Sequence, residues 1–122
     1  NIFDGNNARM QRRNARINIE NVELEQTDVE QSLKAQLYTL WHAYQNNLQI
    51  LQLEKENLVA AKDNHEIAME RYMLGDLSGI EMREAQKSLL DAEERILTAR
   101  YNTKLCEISL LQISGEVSAY LQ

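Results

Sequence analysis

Tyr72-Met73-Leu74-Gly75-Asp76-Leu77-Ser78-Gly79-Ile80-Glu81 carries a stop signal for one helix and a start signal for another. Gly75 accepts a positive φ without steric cost, which suits the residue just past a helix end. Ser78, followed three residues on by Glu81, forms a capping box, in which each side chain satisfies a backbone N–H left free at the helix start. Leu77 and Met82 stand where an apolar staple closes over that cap. The stretch predicts a sharp helical hairpin, and its turn, 75–78, is the first place to look for function.

Working outward, the N-terminal side reads as one long helix over about 7–74, on the order of 100 Å at 1.5 Å per residue. Ala8, Ala15, Val22 and Val29 fall seven apart. A seam spaced by threes and fours continues through Leu33, Leu37, Leu40, Tyr44, Leu48, Leu51 and Leu58 to Met69 and Tyr72, with Gln26, Lys55, Lys62 and His65 as interruptions. Off that seam, Leu24, Trp41, Ile50, Leu53, Val59 and Ile67 suggest a second contacting face. The lead-in, 1–6, reads as a strand end at Ile2-Phe3 turned into the helix by Asp4, Gly5 and two asparagines.

On the other side, a shorter helix is predicted over about 79–114. Met82, Ala85, Leu89, Ala92, Ile96, Ala99, Thr103, Cys106, Leu110 and Ile113 alternate three and four apart without a break. A strict seven-residue repeat implies a left-handed coiled coil. Ala85, Ala92 and Ala99 keep one seam position small, so the partner helix can come close. Gly115 reads as the stop, with 115–122 as a tail. The fold class is therefore all-α: a long antiparallel coiled-coil hairpin with one helix about twice the length of the other. The span from about Ala8 to Leu33 has no partner within the chain, which predicts self-association.

Composition narrows the function classes. There is no Pro, Gly numbers 4, and two of those glycines lie in or beside the turn, so few breakers interrupt the helices. A net charge of -6 argues against nucleic acid as a partner. Mean hydropathy is -0.52 with 6% aromatic residues, which fits narrow apolar seams rather than a thick core. No run approaches the roughly 20 apolar residues of a membrane helix. Without an initiating Met, and with Asn1 opening in mid-pattern, the chain reads as a segment of a longer protein. The lone Cys106, on the seam, reads as a small apolar filler. His42 and His65 show no metal spacing, and His65-Glu66 lacks the second His of a zinc-protease motif. No nucleophile stands beside a matching base, so neither a catalytic residue nor a cofactor is expected. Trp41 and Tyr44 read as a packing cluster, and Arg9, Arg12, Arg13 and Arg16 as a solvated basic face.

Tyr72-x-x-Gly75-x-x-Ser78, Ala85-Gln86-x-x-Leu89, Ala92-Glu93, Ala99-Arg100-Tyr101-Asn102, Leu110 and Gly115, taken in order, resemble the second half of TolC-type outer membrane efflux proteins. Ile2-Phe3-Asp4-Gly5 is similar to the Phe-Asp-Gly-Gly step by which that family's chain leaves its barrel strand, with Asn6 in place of the second Gly. The resemblance implies the periplasmic helical hairpin of the second repeat in a trimeric outer membrane channel of Gram-negative bacteria. It implies a barrel outside this segment, a periplasmic adaptor and an inner-membrane transporter as partners, and no nucleic acid. In that family the hairpin turns form the tip where the tube closes and meets the adaptor.

Carried over residue by residue, the resemblance makes Tyr72, Glu81 and Glu84 gate or pore-lining positions, and Gly75, Asp76, Leu77 and Ser78 the adaptor-contact tip. On three protomers Glu81 and Glu84 would form two rings of carboxylates that repel one another and attract cations. The Arg that locks the tip of the best known member corresponds to Leu77 here, so the closing contacts must differ. By the same resemblance, the basic face of Arg9 to Arg16 lies nearest the outer membrane, where lipid phosphates or the other repeat would meet it. Two other readings compete. A periplasmic adaptor also carries a long hairpin, but it needs flanking lipoyl-type halves and an Arg where Asp76 stands. An unrelated coiled-coil spacer satisfies the heptads but leaves the ordered tip and seam residues unexplained.

Overall fold

The computed structural model describes residues 2–121, with side chains described for 4–119. Two helices account for nearly all of it: α1, Ile2–Met73, and α2, Gly79–Leu121. Among the described residues there is no strand, as an all-α hairpin requires. The chain divides into two compact units, Thr39–Gln112 and Asn1–Tyr38 together with Ile113–Gln122.

The unit Thr39–Gln112 is the hairpin itself. Its most deeply buried residues all lie on α2: Met82, Ala92, Ile96, Ala99 and Thr103. Ala85, Leu89, Cys106 and Leu110 continue the row, half-buried. This is the three-and-four spacing expected from the sequence. The small Ala92, wholly buried, lets the larger side chains of α1 close over α2.

The α1 seam runs differently from the expected one. Half-buried residues repeat every seven at Leu40, Asn47, Glu54, Ala61 and Ala68, and again at Tyr44, Leu51, Leu58 and His65. Each lysine expected to interrupt the seam follows a seam residue by one place, and Lys55 and Lys62 are exposed. Met69 and Tyr72, expected on the seam, are exposed too. His65 belongs to the seam rather than breaking it.

Two polar residues of this seam, Asn47 and Glu54, meet partners on α2. Asn47 Nδ2 donates to Cys106 Sγ at 3.1 Å, and Thr103 Oγ1 donates to the Ala99 and Asn47 carbonyls at 2.8 and 3.4 Å. Arg95 Nε reaches Glu54 Oε2 at 3.2 Å. Cys106 is therefore more than an apolar filler, since it accepts a hydrogen bond across the seam. Trp41 and Tyr44 pack as a tilted aromatic pair with ring centroids 6.1 Å apart.

In the second unit, Glu30, Leu33 and Leu37 of α1 and Ile113 and Val117 of α2 are half-buried, whereas residues 4–29 are exposed throughout. Two boundaries depart from expectation. Residues 2–6 are helical rather than an extended lead-in, and Gly115 lies inside α2 rather than ending it. Gly75 is the single Gly with positive φ among the described residues. A lone Gly costs a helix roughly 1 kcal/mol, too little to stop one that Val117 anchors beyond it and no Pro interrupts. Asn1 and Gln122, parts of the predicted lead-in and tail, lie outside the described residues, as do the side chains of Ile2 and Phe3.

Candidate functional site

The turn is built from backbone outward. Gly75 takes φ 77°, and its N–H donates to the Tyr72 carbonyl at 3.1 Å. The Asp76 N–H donates to the Arg71 carbonyl at 2.9 Å. These two bonds form a Schellman motif, which occupies carbonyls the helix end leaves free. A Schellman motif commonly adds an apolar contact between the residues that flank it. Here Arg71 and Asp76 hold those places, and Arg71 Nε pairs with Asp76 Oδ2 at 3.2 Å. Both side chains are largely exposed, so the pair contributes about 0–1 kcal/mol and acts mainly on turn geometry.

The capping box closes in both directions. The Ser78 N–H donates to Glu81 Oε2, and the Glu81 N–H donates to Ser78 Oγ, each at 3.2 Å. The Met82 N–H donates to the Ser78 carbonyl at 3.0 Å, the first helical bond of α2. Leu77 is half-buried and Met82 is 5% exposed, as an apolar staple over the cap demands.

The structure thus holds Gly75 and Asp76 in the Schellman turn that ends α1, and Ser78 and Glu81 in the capping box that opens α2. Tyr72 contributes its carbonyl to that turn, while its side chain is 47% exposed. Glu84 stands one helical turn beyond Glu81, exposed, and belongs to none of the ion pairs among the described residues. Arg71 escaped the sequence reading. Its signal is an Arg and an Asp five apart around a C-terminal Gly, which places both on the flanks of a Schellman turn. Nothing in the turn suits bond-making chemistry, and no group of His, Cys, Asp and Glu among the described residues is placed to hold a metal.

Among the described residues no helix is long and apolar enough to cross a membrane. Comparisons with curated proteins and with solved structures give no significant match. The sequence model of the family described as "Outer membrane efflux protein" matches residues 1–116. That family comprises components of outer membrane efflux channels, transport proteins rather than enzymes. With a helical hairpin and a match over nearly its whole length, the chain belongs to the outer membrane efflux protein family.

Proposed function

We propose that this chain is a periplasmic tunnel segment of a trimeric outer membrane efflux channel. It forms tube wall along the hairpin and a gated, adaptor-docking tip at the turn, for export driven by an inner-membrane pump. The observation that carries the reading is a second apolar row on α2. Leu90, Leu97, Tyr101, Ile108 and Leu111 are all exposed, at 43–67%. At about 100° per residue they lie roughly 120° around α2 from the buried row of Met82, Ala92, Ile96 and Ala99. A helix with apolar rows on two faces takes a neighbour at each, as a helix in a tube wall must.

In the closed state the hairpins coil inward, and Glu81 and Glu84 of three protomers crowd the axis. One Glu81 oxygen caps α2, while the rest of its carboxylate and all of Glu84 face the lumen. Adaptor contacts at Gly75, Asp76, Leu77 and Ser78 then hold the hairpins apart. The small Ala85, Ala92 and Ala99 let one helix shift against its neighbour with little steric penalty. Tyr72, exposed beside the turn, contributes to closure without the family's Arg, whose place Leu77 takes.

Single-channel conductance of the full-length parent, beside a Glu81→Gln/Glu84→Gln double variant, tests this. Gln also completes a capping box, so the double variant removes charge while keeping the turn. Cation-selective currents that lose selectivity or grow in the variant are expected. Unchanged currents would return both residues to capping and surface roles. A folded trimer that passes no current would refute the channel.

A further inference from the structure

Glu84, Ser88, Asp91, Arg95, Thr98 and Asn102 alternate four and three apart along α2, and all are exposed. At about 100° per residue they keep to one face of the helix, the face that carries Glu84 beside the turn. No apolar residue interrupts that face from Glu81 to Asn102. Leu90 and Leu97, in the exposed apolar row, lie roughly 120° farther round, with Lys87 and Glu94 between the two faces. Water therefore wets the polar face, while a neighbouring helix takes the apolar one. Arg95 is the one cation among the six residues of the polar face, and it is not left bare.

Its partner comes from the seam of α1. Arg95 Nε meets Glu54 Oε2 at 3.2 Å, and the Glu54 side chain is 15% exposed against 53% for Arg95. A pair half out of water is a poor source of stability, and an apolar residue at the heptad place of Glu54 packs as well or better. What Glu54 supplies is counter-charge at a chosen spot. Arg95 lies 11 residues beyond Glu84, about 16 Å at 1.5 Å per residue. That is farther than the Debye length of about 8 Å at physiological salt, so the carboxylates beside the turn do not offset it. Asp91, one helical turn before Arg95, belongs to none of the ion pairs among the described residues.

We infer that Glu54 is a selectivity-determining residue of the conduit wall: it neutralises Arg95 on the face that bears Glu84, so that Asp91 leaves this stretch of the lumen acidic. The inference rests on the channel reading and on the lumen position which that reading gives Glu84. In each protomer Asp91, Glu54 and Arg95 together carry one negative charge. Three protomers make an acidic belt behind the turn, which favours cations over anions. Without the Glu54 charge, Arg95 cancels Asp91 and the belt is neutral. Without both carboxylates the belt is basic and draws anions instead.

Reversal potentials of the full-length parent in a planar bilayer, under a potassium chloride gradient, read the belt. They are measured on the Glu81→Gln/Glu84→Gln background, where the turn no longer dominates selectivity. Glu54→Gln keeps an acceptor for Arg95 and is expected to lower the cation-to-anion permeability ratio about twofold or more. Adding Asp91→Asn is expected to turn the preference to anions, and Glu54→Gln/Arg95→Gln to restore the starting ratio. A merely structural Glu54 would move the melting temperature and leave the ratio alone. The face is read separately, with the ion pair intact. Asn102→Cys, combined with Cys106→Ser, is treated with a positively charged methanethiosulfonate, and the current is expected to fall. Trimers that pass current but keep one ratio through all the variants would overturn the inference and leave the channel reading standing. So would complete labelling of Asn102→Cys, read by mass, with no change in current. A folded trimer that passes no current would overturn both.

Discussion

Gly75 is the residue on which the turn depends, and the reason is backbone alone. A Cβ added there would meet nothing within 4 Å, so substitution brings no clash. The cost lies in φ 77°, where an L side chain is disfavoured by roughly 1–2 kcal/mol. Gly75→Ala is therefore expected to lower the unfolding free energy by about that amount, and Gly75→Asn by less, since Asn tolerates the left-handed region better. Chemical denaturation of the two variants checks the order. Equal losses would show that something other than φ holds the position. The opposite residue of the turn, Ser78, works through its hydroxyl instead, because Glu81 N–H has no helical partner to replace it.

At the scale of the element, the seam is asymmetric. α2 contributes the small and deeply buried residues, and α1 closes over them with larger and partly polar ones. Ala92, at 0% exposure, has no room for growth. Ala92→Leu is expected to destabilise the hairpin by about 1–3 kcal/mol through forced rotamers and a spread seam. Glu54 makes the opposite case. Its side chain is 15% exposed, on a heptad position that an apolar residue would fill, and it depends on Arg95. Glu54→Leu is expected to raise the melting temperature, gaining on the order of 1 kcal/mol, whereas Arg95→Ala lowers it by stranding a half-buried carboxylate. Thermal melts of both variants give the test; a loss on Glu54→Leu would mean that the ion pair stabilises beyond its desolvation cost.

For the whole molecule, the prediction separates folding from assembly. Leu97 and Leu111 sit on the exposed row of α2, at 63% and 67% exposure, away from the seam. A Leu97→Gln/Leu111→Gln variant of the chain is expected to melt within about 0.5 kcal/mol of the parent, as surface changes do. The same pair in the full-length protein is expected to impair trimer formation, read by native mass. Loss of hairpin stability without loss of assembly would place this row inside the fold instead of between protomers.

Turn, helix count and the α2 seam were all legible in the residues, because each rests on local chemistry. Gly75 needs its φ, Ser78 and Glu81 cap within one turn, and the α2 row is apolar or small at every heptad place. The α1 seam was not legible, since Asn47 and Glu54 look like surface residues until Cys106, Thr103 and Arg95 arrive from the other helix. The same blindness to partners let Gly115 pass for a stop, when helical contacts beyond it outweigh its entropy cost. Asp76 read as a turn residue; only the folded turn brings Arg71 to it. The sequence by itself determined that two helices form, where the chain reverses and which face of α2 is buried, because helical period and capping are encoded by neighbours a few residues apart. Tertiary structure decided which polar residues α1 buries and where its helix ends are tolerated, because those choices depend on groups 40 to 60 residues away along the chain that only the closed hairpin puts within hydrogen-bonding reach.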